Sequence, residues 1–229
     1  MVNTTERARF GIPKIDSTIS GGLPANSSTL LYGTPGAGKS IFCQKFMHEG
    51  VKKGDKCIFM TFDVRPDTII DSMKRFGWDP EDKITFFDCF SYRIGAQSPS
   101  KYAATGLSDL NQLGMIFEDI ISALDGAQKR LVIDSLSTLL LYSDPELVPK
   151  FLKDFIATAI AEKTTILMTV EEGVHDSHLV AMLNYLSDGF IEMKFDMDKR
   201  LLRISKMRDT VVNREWMEYD ITNKGIIVK

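Results

Sequence analysis

Residues 33–40 read Gly33-Thr34-Pro35-Gly36-Ala37-Gly38-Lys39-Ser40 and lie between an apolar, strand-like run, Thr29 to Tyr32, and a helical one, Ile41 to Gly50. A G-x-x-x-x-G-K-[ST] turn that leaves a buried strand and opens a helix is a phosphate cradle. Gly33, Gly36 and Gly38 let the backbone adopt unusual dihedrals and turn its N–H groups inward, and the helix N-terminus adds its dipole to the same anion nest. Lys39 supplies a point charge for the β- and γ-phosphates, and the Ser40 hydroxyl can ligate Mg²⁺. A glycine-rich turn with an incidental lysine is the bland alternative, and the flanking strand and helix speak against it. The stretch predicts binding of a nucleoside triphosphate, ATP with Mg²⁺, by Gly33 to Ile41.

Outward from this loop, apolar runs of strand length recur at Cys57 to Phe62, Ile84 to Phe87, Leu131 to Asp134 and Thr165 to Val170. They lack alternation, which suits strands buried on both faces. Amphipathic helices lie between them. One runs from Pro66 to Phe76, with Ile69, Ile70, Met73 and Phe76 on one face and Gly77 closing it. A second carries Leu110, Leu113, Phe117, Ile120, Ile121 and Leu124, and a third Val148, Leu152, Phe155, Ile156 and Ala159. Alternating strand and helix predicts an α/β fold with a mostly parallel central sheet flanked by helices. The last forty residues change character: Gly189 to Phe195, Leu201 to Lys206, Trp216 to Ile221 and Ile226 to Val228 are separated by turn chemistry and predict antiparallel strands extending the sheet. Residues 91–106, rich in Ser, Gly, Ala and Tyr, predict a mobile surface loop or a partner-binding one.

Acids at strand ends supply the remaining candidates. Asp134 closes the buried run Leu131 to Asp134, where its charge needs compensation, and the hydration shell of Mg²⁺ would provide it. It could instead cap the helix-like stretch that follows. Asp63, just past Cys57 to Phe62, is the candidate to orient or deprotonate an attacking water, or else it merely opens the helix at Pro66. Glu171 and Glu172 follow Thr165 to Val170, either sensing nucleotide or solvated.

Bulk properties set the frame. The 229 residues are 44% hydrophobic and 26% charged with net charge −3, which suits one large α/β domain over 1–229 and gives no global field for a polyanion. Cys43, Cys57 and Cys89 form no paired motif and lie in or beside apolar runs, as small buried hydrophobes do. Met1 to Phe10 is polar and charged where a signal peptide needs apolar residues, and no run reaches membrane-spanning length. The expectation is a cytoplasmic protein.

These pieces together resemble a single-domain KaiC-like ATPase of the RecA/RadA superfamily, the group that in archaea includes RadA paralogues. The likeness covers nearly the whole chain. Phe10–Asp16 followed by Ser20–Pro24 resembles the family's lead-in, within 1–28. Gly33–Ser40 and Val132–Ser137 resemble its Walker A and Walker B segments, Leu186–Ile191 a later strand start, and Tyr219–Val228 its closing strands. Ile204–Arg208 resembles the segment where KaiC-type subunits carry a Lys-x-Arg pair reaching the neighbouring subunit's γ-phosphate.

The resemblance implies a RecA-like P-loop fold and ATPase activity, with Lys206 and Arg208 acting in trans within a homo-oligomer, most simply a hexameric ring. Read from the residues alone, the two would be the solvated side of a strand. One departure stands out: the family's adjacent glutamates are replaced by Asp63-Val64, which implies slow hydrolysis, or nucleotide-switched assembly or signalling without catalysis. A third reading, a recombination-mediator-like protein, would bind single-stranded DNA through Arg93, Lys101, Tyr92 and Tyr102. A protein partner is compatible with any of these.

Overall fold

The computed structural model describes residues 6–80, 82–124 and 126–229. Of the lead-in segment, residues 1–5 lie outside the described residues; the rest forms β1 (Arg7–Ala8), α1 (Pro13–Thr18) and β2 (Leu23–Pro24). There follow β3 (Ser28–Gly33), α2 (Lys39–Lys53), β4 (Lys56–Thr61), α3 (Pro66–Arg75) and β5 (Ile84–Asp88). Next come β6 (Tyr102–Ala103), α4 (Leu110–Ala123), β7 (Lys129–Asp134), α5 (Leu136–Tyr142), α6 (Val148–Ala161) and β8 (Thr164–Glu171). The chain ends in α7 (Ser177–Leu186), β9 (Gly189–Asp196), β10 (Lys199–Met207), β11 (Met217–Thr222) and β12 (Gly225–Val228).

A ten-stranded sheet runs β12-β11-β10-β9-β3-β8-β7-β4-β5-β6. From β9 to β6 all neighbours are parallel, and β10, β11 and β12 add antiparallel strands at one edge. This is the predicted architecture with one correction. The sequence reading makes all four final strands antiparallel, whereas β9 pairs parallel with β3. The connection decides it: α7 gives the chain the length of a crossover, while β10 to β12 are reached through short connections that reverse the chain. Two hydrophobic clusters cover the faces. One gathers Phe42, Phe46, Ile69 and Met73 from α2 and α3, the other Leu113, Phe117, Leu139, Leu152, Phe155 and Leu183 from α4 to α7.

Two short elements occupy the 91–106 stretch that the sequence reads as a loop: a 3₁₀ turn, Ser91–Ile94, and β6. Asp88 organises it, accepting from the hydroxyls of Ser91 and Ser98 at 2.6 Å each and from two backbone amides. These donors hold its carboxyl below the ordinary carboxylate range against the opposing effect of burial. Among the described residues no helix is long and apolar enough to cross a membrane.

Candidate functional site

The phosphate loop leaves the C-terminal end of β3 at the middle of the parallel sheet, where Gly33 pairs with Glu171 of β8 and Met193 of β9. Only glycine fits there, since a Cβ on Gly33 would sit 2.1 Å from the Met193 carbonyl oxygen. The loop closes at Gly38, the left-handed N-cap of α2 with φ 99°. A Cβ at Gly38 would also meet Ile221 of β11 at 2.6 Å. Tyr219, fully buried on the same strand, donates its hydroxyl to the Ala37 carbonyl at 2.5 Å. Burial raises that phenol's pKa and keeps it a donor. Phe195 lies 3.7 Å from the Cβ position of Gly36, with Arg200 stacked over its ring. The sequence reading finds the loop itself, but these backing contacts come from residues more than 150 positions away, and no local signal announces them.

Lys39 is buried. Its ammonium donates to the carbonyls of Gly33 and Thr34 at 2.8 and 2.9 Å and to Glu171 Oε2 at 2.8 Å. Glu171 is therefore an ion-pair partner of the loop lysine, and its amide is held by Ser137 Oγ at 2.9 Å, whereas sequence alone leaves it between sensing and solvation. Thr34 Oγ1 is buried without a hydrogen-bond partner among the described residues. A hydroxyl left open at the loop suits an oxygen-rich ligand. Pro35, Gly36 and Ser40 are exposed, while Ile41 packs partly against the core.

Asp134, at the end of β7, is buried and accepts from Thr169 Oγ1 at 2.7 Å and from the Ser40 hydroxyl. Burial pushes its carboxyl pKa up, the two hydroxyls oppose this, and the Asp63 charge reinforces it. A hydroxyl and a carboxylate poised together at the loop are side chains that could hold a divalent cation such as Mg²⁺. Asp63 projects beside Asp134 from the loop after β4, accepting from Ser135 Oγ at 2.9 Å and from Thr138 Oγ1. Val64 is half exposed next to it.

Lys206 and Arg208 do not join this group. Lys206 pairs with Phe190 in the β9–β10 ladder, three residues back from Met193 and hence about 10 Å of strand away from the level of Gly33. Its ammonium donates to the Asn184 and Ser187 carbonyls at the end of α7, and burial lowers its pKa. Arg208 donates to Asp188 Oδ1 at 2.9 Å. Both thus occupy the rim opposite their own loop.

The loop cations that the DNA reading uses are engaged internally. Arg93 donates to the Phe62 carbonyl and to Tyr142 Oη, both at 3.0 Å, and Lys101 lies over the Tyr102 ring. Tyr92 and Tyr102 pack against the core.

Comparison with known proteins gives the kinship. The family model described as "ATPase: KaiC" matches residues 8–229. UPF0273 protein MJ1359 of Methanocaldococcus jannaschii is 33% identical, with 97% of this chain and 96% of that protein aligned. UPF0273 protein PH0284 of Pyrococcus horikoshii is 31% identical over 98% and 94%. Among solved structures, the KaiC-like protein PH0186 of P. horikoshii superimposes with a TM-score of 0.79 at 24% identity, over 98% of this chain and 99% of that one, a likeness of fold. With the loop, the strand-end carboxylate and the sheet order already in place, the chain belongs to the KaiC ATPase family.

Proposed function

We propose that the protein binds Mg-ATP on Gly33 to Ile41 and hydrolyses it slowly, in a homo-oligomer whose neighbouring subunits complete one another's sites. The observation that carries the reading is the convergence of Lys39, Ser40 and Asp134 at the mouth of the loop. Lys39, now paired with Glu171, would meet the β- and γ-phosphates, while Ser40 and Asp134 would hold the metal, which would supply charge neutralisation on the phosphate oxygens. Asp63 orients the attacking water, with Ser135 and Thr138 fixing its carboxylate. An aspartate followed by valine is a shorter and lone acid, which favours slow turnover.

Lys206 and Arg208 sit on the rim away from their own loop, so a phosphate they meet belongs to a neighbour. A guanidinium fork matches phosphate oxygens bidentately, and such a group can speed phosphoryl transfer by roughly three orders of magnitude or more. Mixing Lys39→Ala subunits with Arg208→Ala subunits tests this arrangement. Each variant alone is expected to be inactive, and the mixture to regain part of the wild-type rate. Absence of recovery in verified mixed assemblies would refute action in trans. The missing second acid also favours a nucleotide-dependent assembly module without turnover. Single-turnover measurement separates the two: ATP left intact on the protein for hours favours the module.

A further inference from the structure

The rim opposite the loop carries a second concave and cationic site. Arg130 stands four residues before Asp134 on β7, about 13 Å of strand away. Its side chain is almost wholly buried. Nε donates to Asp55 Oδ2 at 2.7 Å, and Nη1 donates to the carbonyls of Arg9 at 2.6 Å and Phe46 at 3.0 Å. Nη2 is buried with no partner among the described residues, a costly state for a charged donor.

Arg130 helps line a cavity of about 640 Å³, together with Arg7, Arg9, Glu49, Lys52 and Lys53. A cavity of about 490 Å³ shares Arg9, Glu49 and Lys52 with it and adds Lys45. Across the two, six cationic side chains face three acids, Glu6, Asp16 and Glu49. Asp16 accepts from the amides of Phe10 and Gly11, the pairs Glu6–Lys53 at 3.0 Å and Glu49–Lys52 at 3.6 Å take up one acid and one cation each, and Arg7 donates to Thr210 Oγ1 and to backbone carbonyls. Lys45 lies over the Trp78 ring, and burial lowers its pKa. The bland explanation is that Lys52 and Lys53 complement the dipole at the end of α2. It leaves Arg9 unexplained, which lies outside that turn, while Lys45 rests on Trp78 and Arg130 pairs with Asp55 beneath the hollow.

We propose that these adjoining hollows bind a small anion bearing two or more phosphate groups, of which inorganic pyrophosphate is the simplest, with Arg9 and Lys52, which line both, meeting its oxygens. Guanidinium and ammonium donors around a common hollow match phosphate oxygens. Cavities of a few hundred Å³ suit a compact ligand. Lys39 and Lys52 lie thirteen residues apart on α2, about 20 Å, so this site and the loop are physically separate.

Calorimetric titration with pyrophosphate at low salt tests the assignment. Wild type is expected to take up two per chain. Lys39→Ala, which weakens the loop, is expected to retain one, and adding Arg9→Ala and Lys52→Ala to that variant should weaken the remaining site at least tenfold. Arg9 and Lys52 are exposed, and unchanged thermal melting verifies the fold of each variant. Natively melting Lys39→Ala protein that binds no pyrophosphate would overturn the proposal, as would undiminished affinity without Arg9 and Lys52. Failure of the loop reading gives a different result: Lys39→Ala protein binding ATP as wild type does.

Discussion

At the scale of single residues, Asp134 concentrates the physical tension of the site. Its carboxyl is buried and held above the ordinary carboxylate pKa of about 3.9, with two hydroxyls in attendance and the Asp63 charge nearby. A carboxyl whose folded pKa exceeds its unfolded one favours folding when protonated. That contribution is complete below the unfolded value and is lost as pH rises through the raised folded value. Asp134→Asn removes the titration. Without nucleotide, the variant's melting temperature should gain on wild type as pH rises from 4 to 7, by about 2–4 °C for each kcal/mol of relieved charge burial in a domain of this size. Addition of Mg-ATP should reverse the order, because the charge then has a partner and the variant has lost a ligand. Thermal melting across pH, with and without Mg-ATP, checks both signs. Equal pH profiles for the two proteins would mean that the buried carboxylate carries no such burden.

Elements show what could be read from the sequence and what could not. The loop, β4, β7 and the stripes of α3, α4 and α6 were legible because glycine spacing, apolar runs and helical periodicity are local. The pairing of β9 with β3 was not, because strand direction depends on a crossover whose docking no short pattern records. The same blindness applies to Lys206. As one member of a Lys-x-Arg pair its sequence suggests a finger, yet its ammonium closes the end of α7, a structural task that coexists with any role in trans. The two residues should therefore separate in stability. Lys206→Met frees the Asn184 and Ser187 carbonyls and should cost about 1 kcal/mol, or 2–4 °C of melting temperature. Arg208→Ala removes a half-exposed side chain paired with Asp188 and should change melting by less than about 1 °C. Denaturant and thermal melts of both variants without nucleotide test this. Equal losses would assign the two residues a common structural role.

For the whole molecule, the loop is a meeting point of parts distant in sequence. β3 and α2 form it, β9 braces Gly33, β11 braces Ala37 and Gly38, and β8 supplies the partner of Lys39. A ligand held there should stabilise the domain as a unit. At a hundred times its dissociation constant Mg-ATP adds about 2.7 kcal/mol, which corresponds to roughly 5–11 °C in melting temperature. Lys39→Ala should abolish the shift at the same nucleotide concentration. The proposed sharing of sites adds a second signature, because a ligand clasped between two chains binds more tightly as those chains associate. The wild-type shift should then grow with protein concentration, while the shift of Arg208→Ala should stay constant, its site being confined to one chain. Melting curves over a hundredfold range of protein concentration, at fixed free Mg-ATP, distinguish the outcomes. A wild-type shift independent of concentration, in particles whose mass follows dilution from oligomer to monomer, would place the whole of the binding energy within a single subunit.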